Sequence, residues 1–155
     1  MNYVKIAVVL LSLALVCYKI ELPKKNGDIT GNTWALVEVR TQETIITLER
    51  LLLERAGMGD AFTLRFEGYN CVLGTAAATH YNASCEWGDN STIGIGPVST
   101  IQTAVARELP FREKDYFEYL ERVGRWTVSE EGQMVLYSMG YASKNWIYLT
   151  FGKYF

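Results

Sequence analysis

Between residues 62 and 104 the chain is cut by Gly68, Gly74, the triplet Gly88-Asp89-Asn90 and the pair Gly96-Pro97 into four short runs rich in β-branched and aromatic residues. Each break supplies residues that tolerate positive φ or have φ fixed by a ring, so the chain reverses direction there. Runs at 61–66, 70–77, 81–87 and 92–95 joined in this way make an antiparallel meander, the core of a small β domain. Gly74 lies inside the second run, which marks a bulge or sharp bend. The small residues that follow it, 75–78, leave room for another segment to pack closely over the strand, and the sheet is expected to curve.

The flanking segments extend this pattern. Residues 33–40 alternate as a strand, with Trp34, Leu36 and Glu38 on one face and Ala35, Val37 and Val39 on the other. The β-branched opening of 44–48 favours a strand, and 51–56 a helical turn ended by Gly57 and Gly59. Beyond Pro97, 98–106 reads as a further strand. Over 113–123, Tyr116, Phe117, Leu120 and Val123 recur at helical spacing, so one face is buried. Glu113 and Asp115 sit where the helix dipole favours acids, Lys114 and Arg122 pair with Glu118 across one turn, and Gly124 ends the helix. Strands at 125–128, 133–138 and 145–151 finish the chain, with a tight turn at 129–132. In the last of them Trp146, Tyr148 and Thr150 share one face and Ile147, Leu149 and Phe151 the other. The expected fold class is α+β and β-rich: a curved antiparallel sheet, forming a partial barrel, with one main amphipathic helix packed on it. At 155 residues and 49% apolar composition the chain has enough core for one such domain.

The N-terminus differs in kind. After Lys5, residues 6–17 (IAVVLLSLALVC) form a twelve-residue apolar run, short for a bilayer span and sized for a signal-peptide core. A buried core helix is the competing reading. Ala14-Leu15-Val16-Cys17 resembles a bacterial lipobox, in which Cys17 is the lipidated residue, although Val16 stands where that motif carries Gly, Ala or Ser. Residues 1–17 are therefore a signal peptide or lipoprotein-type membrane anchor, 18–31 a polar linker with Pro23 and two glycines, and 32–155 the domain. The address expected is the cell envelope, exported and held at the membrane through the N-terminal segment.

Cys71 and Cys85 lie fourteen residues apart on neighbouring predicted strands. In an oxidising compartment they are a candidate disulfide; equally, they are two buried reduced thiols acting as small hydrophobes. The formal charge of −2, or −3 without residues 1–17, comes from mixed signs with no basic block, which argues against nucleic-acid binding.

Chemistry-bearing residues are sparse. His80 is the one histidine, and a nucleophilic arrangement with Cys71 or Cys85 would have to use it; a surface histidine at a turn is the plainer reading. One His and two spaced Cys match no standard metal pattern, and no cofactor is expected. Glu130-Glu131 reads as a solvated turn rather than half of a glycosidase pair. Gly94-Ile95-Gly96-Pro97 lacks the strand-to-helix context of a phosphate loop. Trp87, Trp126, Trp146 and the tyrosines are core, or else they wall a groove for a small apolar ligand.

The order of parts resembles the META domain, the fold of the bacterial heat-shock protein HslJ and its relatives. Gly31-Asn32-Thr33-Trp34-Ala35-Leu36-Val37 resembles that family's first strand. Gly74-Thr75-Ala76-Ala77-Ala78-Thr79-His80-Tyr81-Asn82-Ala83 is similar to its glycine-rich segment, with Thr79 where the family has Asn. Ile93-Gly94-Ile95-Gly96-Pro97-Val98-Ser99-Thr100 is similar to its I-G-P turn. The resemblance, over 32–151, implies a β-rich domain with one main helix, without enzymatic activity, linked to stress response or virulence. The function expected is thus a non-enzymatic envelope module, structural or binding an envelope protein. A carrier of small hydrophobic ligands is the alternative.

Overall fold

The computed structural model describes residues 29–102, 109–138 and 145–155. The expected leader, Cys17 and residues 18–28 of the expected linker lie outside them. The fold takes in the linker's last residues: Ile29 is fully buried, its carbonyl accepts the Trp34 indole N–H at 2.9 Å, and Gly31 donates to the Phe66 carbonyl.

In chain order the elements are β1 (Thr33–Thr41), β2 (Ile45–Thr47), α1 (Arg50–Arg55), β3 (Thr63–Glu67), β4 (Cys71–Thr75), β5 (Thr79–Trp87), β6 (Ile93–Ile95), β7 (Ser99–Gln102), α2 (Glu113–Glu121), β8 (Arg125–Val128), β9 (Met134–Tyr137) and β10 (Ile147–Lys153). The antiparallel order is β6-β5-β4-β3-β1-β10-β9-β8, with β2 beside β1 and β7 beside β5. The two ends of this order meet. Thr92 bridges Arg125, Ile93 donates to the Gly124 carbonyl at 3.1 Å, and Trp126 donates to the Ser91 carbonyl at 3.0 Å. The curved sheet is thereby a nearly closed barrel, which leaves fewer unpaired strand edges than an open sheet would.

β1 departs from simple alternation. The pairing with β10 shifts between Leu36 and Glu38, so that Val39 opposes Leu149 and is fully buried with Trp34 and Leu36. The expectation that Val39 lies opposite those two, and Glu38 beside them, is corrected by this bulge, whose extra residue reverses the alternation beyond it. β10 follows its expected alternation: Ile147, Leu149 and Phe151 are buried, and Tyr148 and Thr150 are half-exposed.

Aromatic rings fill much of the interior. Phe62 lies 5.5 Å from Phe111 and 5.2 Å from Tyr116; Phe66, Trp87 and Trp126 form a second chain of contacts at 5.0 and 5.9 Å. Each fully buried ring contributes about 1.5–3 kcal/mol of apolar transfer free energy. α2 inserts Tyr116 and Leu120 into this core, and its acids serve the sheet: Glu121 accepts the Val98 N–H at 2.9 Å and Glu113 the Ala78 N–H at 3.4 Å. The helix thus satisfies backbone donors that the ladder leaves unpaired. The turn expected at 129–132 forms with Gly132 at φ 77°, a conformation that glycine adopts at little cost.

Candidate interaction surfaces

β4 carries no side chain at Gly74, inside the strand. Into that gap falls the ring of Tyr81, its cross-strand partner; a Cβ on residue 74 would meet the Tyr81 ring at 2.5 Å and the Thr63 carbonyl closer still. The Tyr81 hydroxyl donates to the Thr63 carbonyl at 2.9 Å and lies 2.9 Å from the Tyr116 hydroxyl. Because Tyr81 has one proton and spends it on the carbonyl, Tyr116 is the donor between the two hydroxyls. Burial pushes both phenol pKa values up, so the pair stays neutral and its two successive hydrogen bonds form a structural clasp between sheet and helix.

His80 points the other way, to the outer face, where its Nδ1 lies 3.0 Å from the Thr75 hydroxyl. It lines an open groove of about 410 Å³ over β3, β4, β5 and β7, together with Arg65, Leu73, Asn82 and Ile101. Arg65 is paired there with Glu67 at 2.5 Å. Leu73 and Ile101, inside β4 and β7, are 40% and 69% exposed.

The two cysteines expected as a disulfide or as reduced thiols are free thiols in the structure. Cys71 opposes Ser84 and shares its outward face, whereas Cys85, one residue on, turns inward, 3.9 Å from the Tyr69 carbonyl. Burial raises the Cys85 pKa, which suppresses the reactive thiolate. His80 opposes Thr75, four residues along β4 from Cys71, so the ladder does not bring the histidine beside either sulfur. Among the described residues no group of three or more His, Cys, Asp or Glu converges as a metal site.

Arg50 was not singled out by sequence reasoning. Its guanidinium donates to the carbonyls of Ala61 at 2.7 Å, Leu36 at 3.4 Å and Gly59, and its carbon lies 6.0 Å from the Tyr154 ring centroid. Desolvation lowers its pKa, though a guanidinium remains charged at any physiological pH. It ties α1 to the loop that leads into β3. Only its position at the start of the 50–55 helix, among three leucines, hinted at a semi-buried role.

The tryptophans divide. Trp126 is buried and Trp87 half-buried in the core, in mutual contact, whereas Trp146 stands with Tyr148 on the outer face, 5.4 Å apart. Tyr148 stacks on Tyr137 across β9 at 5.4 Å and 12°. The aromatic residues read as core, or else as walls of a groove, thus divide between the core and the outer face of the sheet.

This barrel has solved counterparts. A protein from Burkholderia xenovorans determined by NMR matches with a TM-score of 0.60 at 19% identity, over 81% of this chain and 83% of that one. A DUF4847-family protein from Bacteroides vulgatus matches with a TM-score of 0.52 at 12% identity, over 82% of this chain and 95% of that one. At such identities the likeness concerns the fold alone. No protein-family model matches the sequence, and no curated protein matches it.

Proposed function

We propose that the protein is a META-like, non-enzymatic module of the cell envelope, held at the membrane through its N-terminal segment, that binds a protein partner in the groove over β3, β4, β5 and β7 and contributes to stress response or virulence. The observation that carries this reading is the exposure of Leu73 and Ile101 in a groove of about 410 Å³ on the outer face of the barrel. Exposed aliphatic side chains ringed by polar ones favour a partner surface over open water. The scatter of His80, Cys71 and Cys85 over two faces also supports binding rather than turnover.

Cross-linking in intact envelopes, followed by affinity purification, tests the proposal. Leu73→Asp with Ile101→Asp should abolish capture of a defined partner while leaving the circular dichroism spectrum unchanged. Capture at the wild-type level, or a hydrolytic or transfer activity that disappears in His80→Ala, would overturn it.

A further inference from the structure

Away from that groove, the turn between β1 and β2, the C-terminal end of α2 and the start of β10 enclose a small cleft of about 140 Å³. Trp146 and Tyr119 form its aromatic side; Gln42, Glu43, Arg122 and Asn145 form its polar side. We propose that this cleft holds one ring of an uncharged saccharide chain.

Four observations lead there. The first is the aromatic wall: Trp146 is half-exposed and meets Tyr148 edge-on at 5.4 Å, Tyr148 being itself stacked on Tyr137. A pyranose ring presents polarised C–H bonds on its faces, and the negative face of an indole attracts them. The second is the polar rim. Among the described residues, no hydrogen bond engages the side chains of Gln42, Glu43 or Asn145. Two amides and a carboxylate offer donors and acceptors together, as a ring of hydroxyls requires. Glu43 and Arg122 balance in charge, which favours a neutral ligand over an anion or cation.

The third is preorganisation. The Thr41 hydroxyl accepts the N–H groups of Glu43 at 3.3 Å and Thr44 at 3.2 Å, and the Thr41 N–H donates to the Thr44 carbonyl at 2.9 Å, so the turn carrying Gln42 and Glu43 is locked. Opposite, Arg122 donates to the Asn145 carbonyl at 2.7 Å and fastens the end of α2 to the residue before Trp146. Binding then has to order the side chains at the rim but not the backbone that carries them. The fourth is size. A cleft of about 140 Å³ lies below the range of sites that bury a drug-sized ligand, so it suits contact with one face of a sugar ring and is too small for a ligand that must be swallowed whole. The rest of the chain would stay outside, as in recognition of a polymer.

The site is separate from the Leu73–Ile101 groove and does not depend on the protein-binding reading. The test is calorimetric titration of the full chain with a soluble β-1,4-linked glucose hexasaccharide and, separately, a β-1,4-linked N-acetylglucosamine hexasaccharide. At least one should bind saturably with a Kd between about 10 µM and 1 mM. Trp146→Ala and Gln42→Ala/Glu43→Ala should each weaken binding at least tenfold, and Trp146→Phe should retain it. Gln42 and Glu43 are exposed, so the turn variant keeps the fold if Trp146→Ala does not. Absence of saturable binding by both sugars, or wild-type affinity in the turn variant, would overturn the proposal. Partner capture through Leu73 and Ile101 would be unaffected in either case.

Discussion

Replacing Gly74 by alanine is the most informative perturbation of the barrel. A methyl there would lie 2.5 Å from the Tyr81 ring and closer to the Thr63 carbonyl, and both are held by the closed ladder. Overpacking of this kind costs about 1–3 kcal/mol. The ring must move off the Thr63 carbonyl, so the hydrogen bonds to Thr63 and Tyr116 are lost as well, at about 0.5–1.5 kcal/mol each. The sum, roughly 2–6 kcal/mol, is a large part of a typical domain's stability. With about 3 °C per kcal/mol for a domain of this size, Tm should fall by roughly 6–18 °C. Urea unfolding of a double-mutant cycle isolates the mechanism. Tyr81→Phe should cost about 1–3 kcal/mol in the wild type, where it removes a bond to a buried carbonyl and the partner of the buried Tyr116 hydroxyl, and close to nothing after Gly74→Ala, where those bonds are already gone. Equal costs of Tyr81→Phe in the two backgrounds, or Gly74→Ala within about 0.5 kcal/mol of wild type, would refute the reasoning.

Other consequences are as accessible. The phenols of Tyr81 and Tyr116 have folded pKa values raised above the ordinary 10, so the folded state holds protons that the unfolded state releases; stability is complete below about pH 10 and falls as pH rises beyond it. Ultraviolet difference titration of the wild type against Tyr81→Phe and Tyr116→Phe should show these two phenols ionising only with unfolding. Alkylation of the native, unreduced protein should label Cys71 before Cys85, and denaturation should make both available; a peptide linking the two would show a disulfide instead. Arg50→Lys should destabilise by about 1.5–3 kcal/mol in chemical denaturation, because a lysine cannot reach the three carbonyls that the guanidinium fork spans.

Much of the architecture is legible one strand at a time. Gly-punctuated alternation marks β3 to β6, 3-and-4 spacing marks α2, and the two-residue period of Ile147, Leu149 and Phe151 identifies the buried face of β10. These are local signals, since a side chain's direction follows from its neighbours' backbone. Gly74 likewise announced a close approach, though not that Tyr81 would make it. The candidate surfaces were less legible. The alternation in β10 separates Trp146 from Ile147 but does not say that Gln42 and Glu43, more than a hundred residues earlier, would face it.

By itself, then, the amino-acid order determined that the chain would form a meander of short strands, one main helix and a single apolar core, because period and turn chemistry act over a few residues. Tertiary structure alone decided the rest: the bulge that returns Val39 to the interior, the meeting of residues 91–93 with 124–126 that brings the sheet round into a barrel, and the opposite facing of Cys71 and Cys85. Each of these is a matter of register between distant strands. A shift of one residue there exchanges inside for outside, and no local pattern records which register the packed core will select.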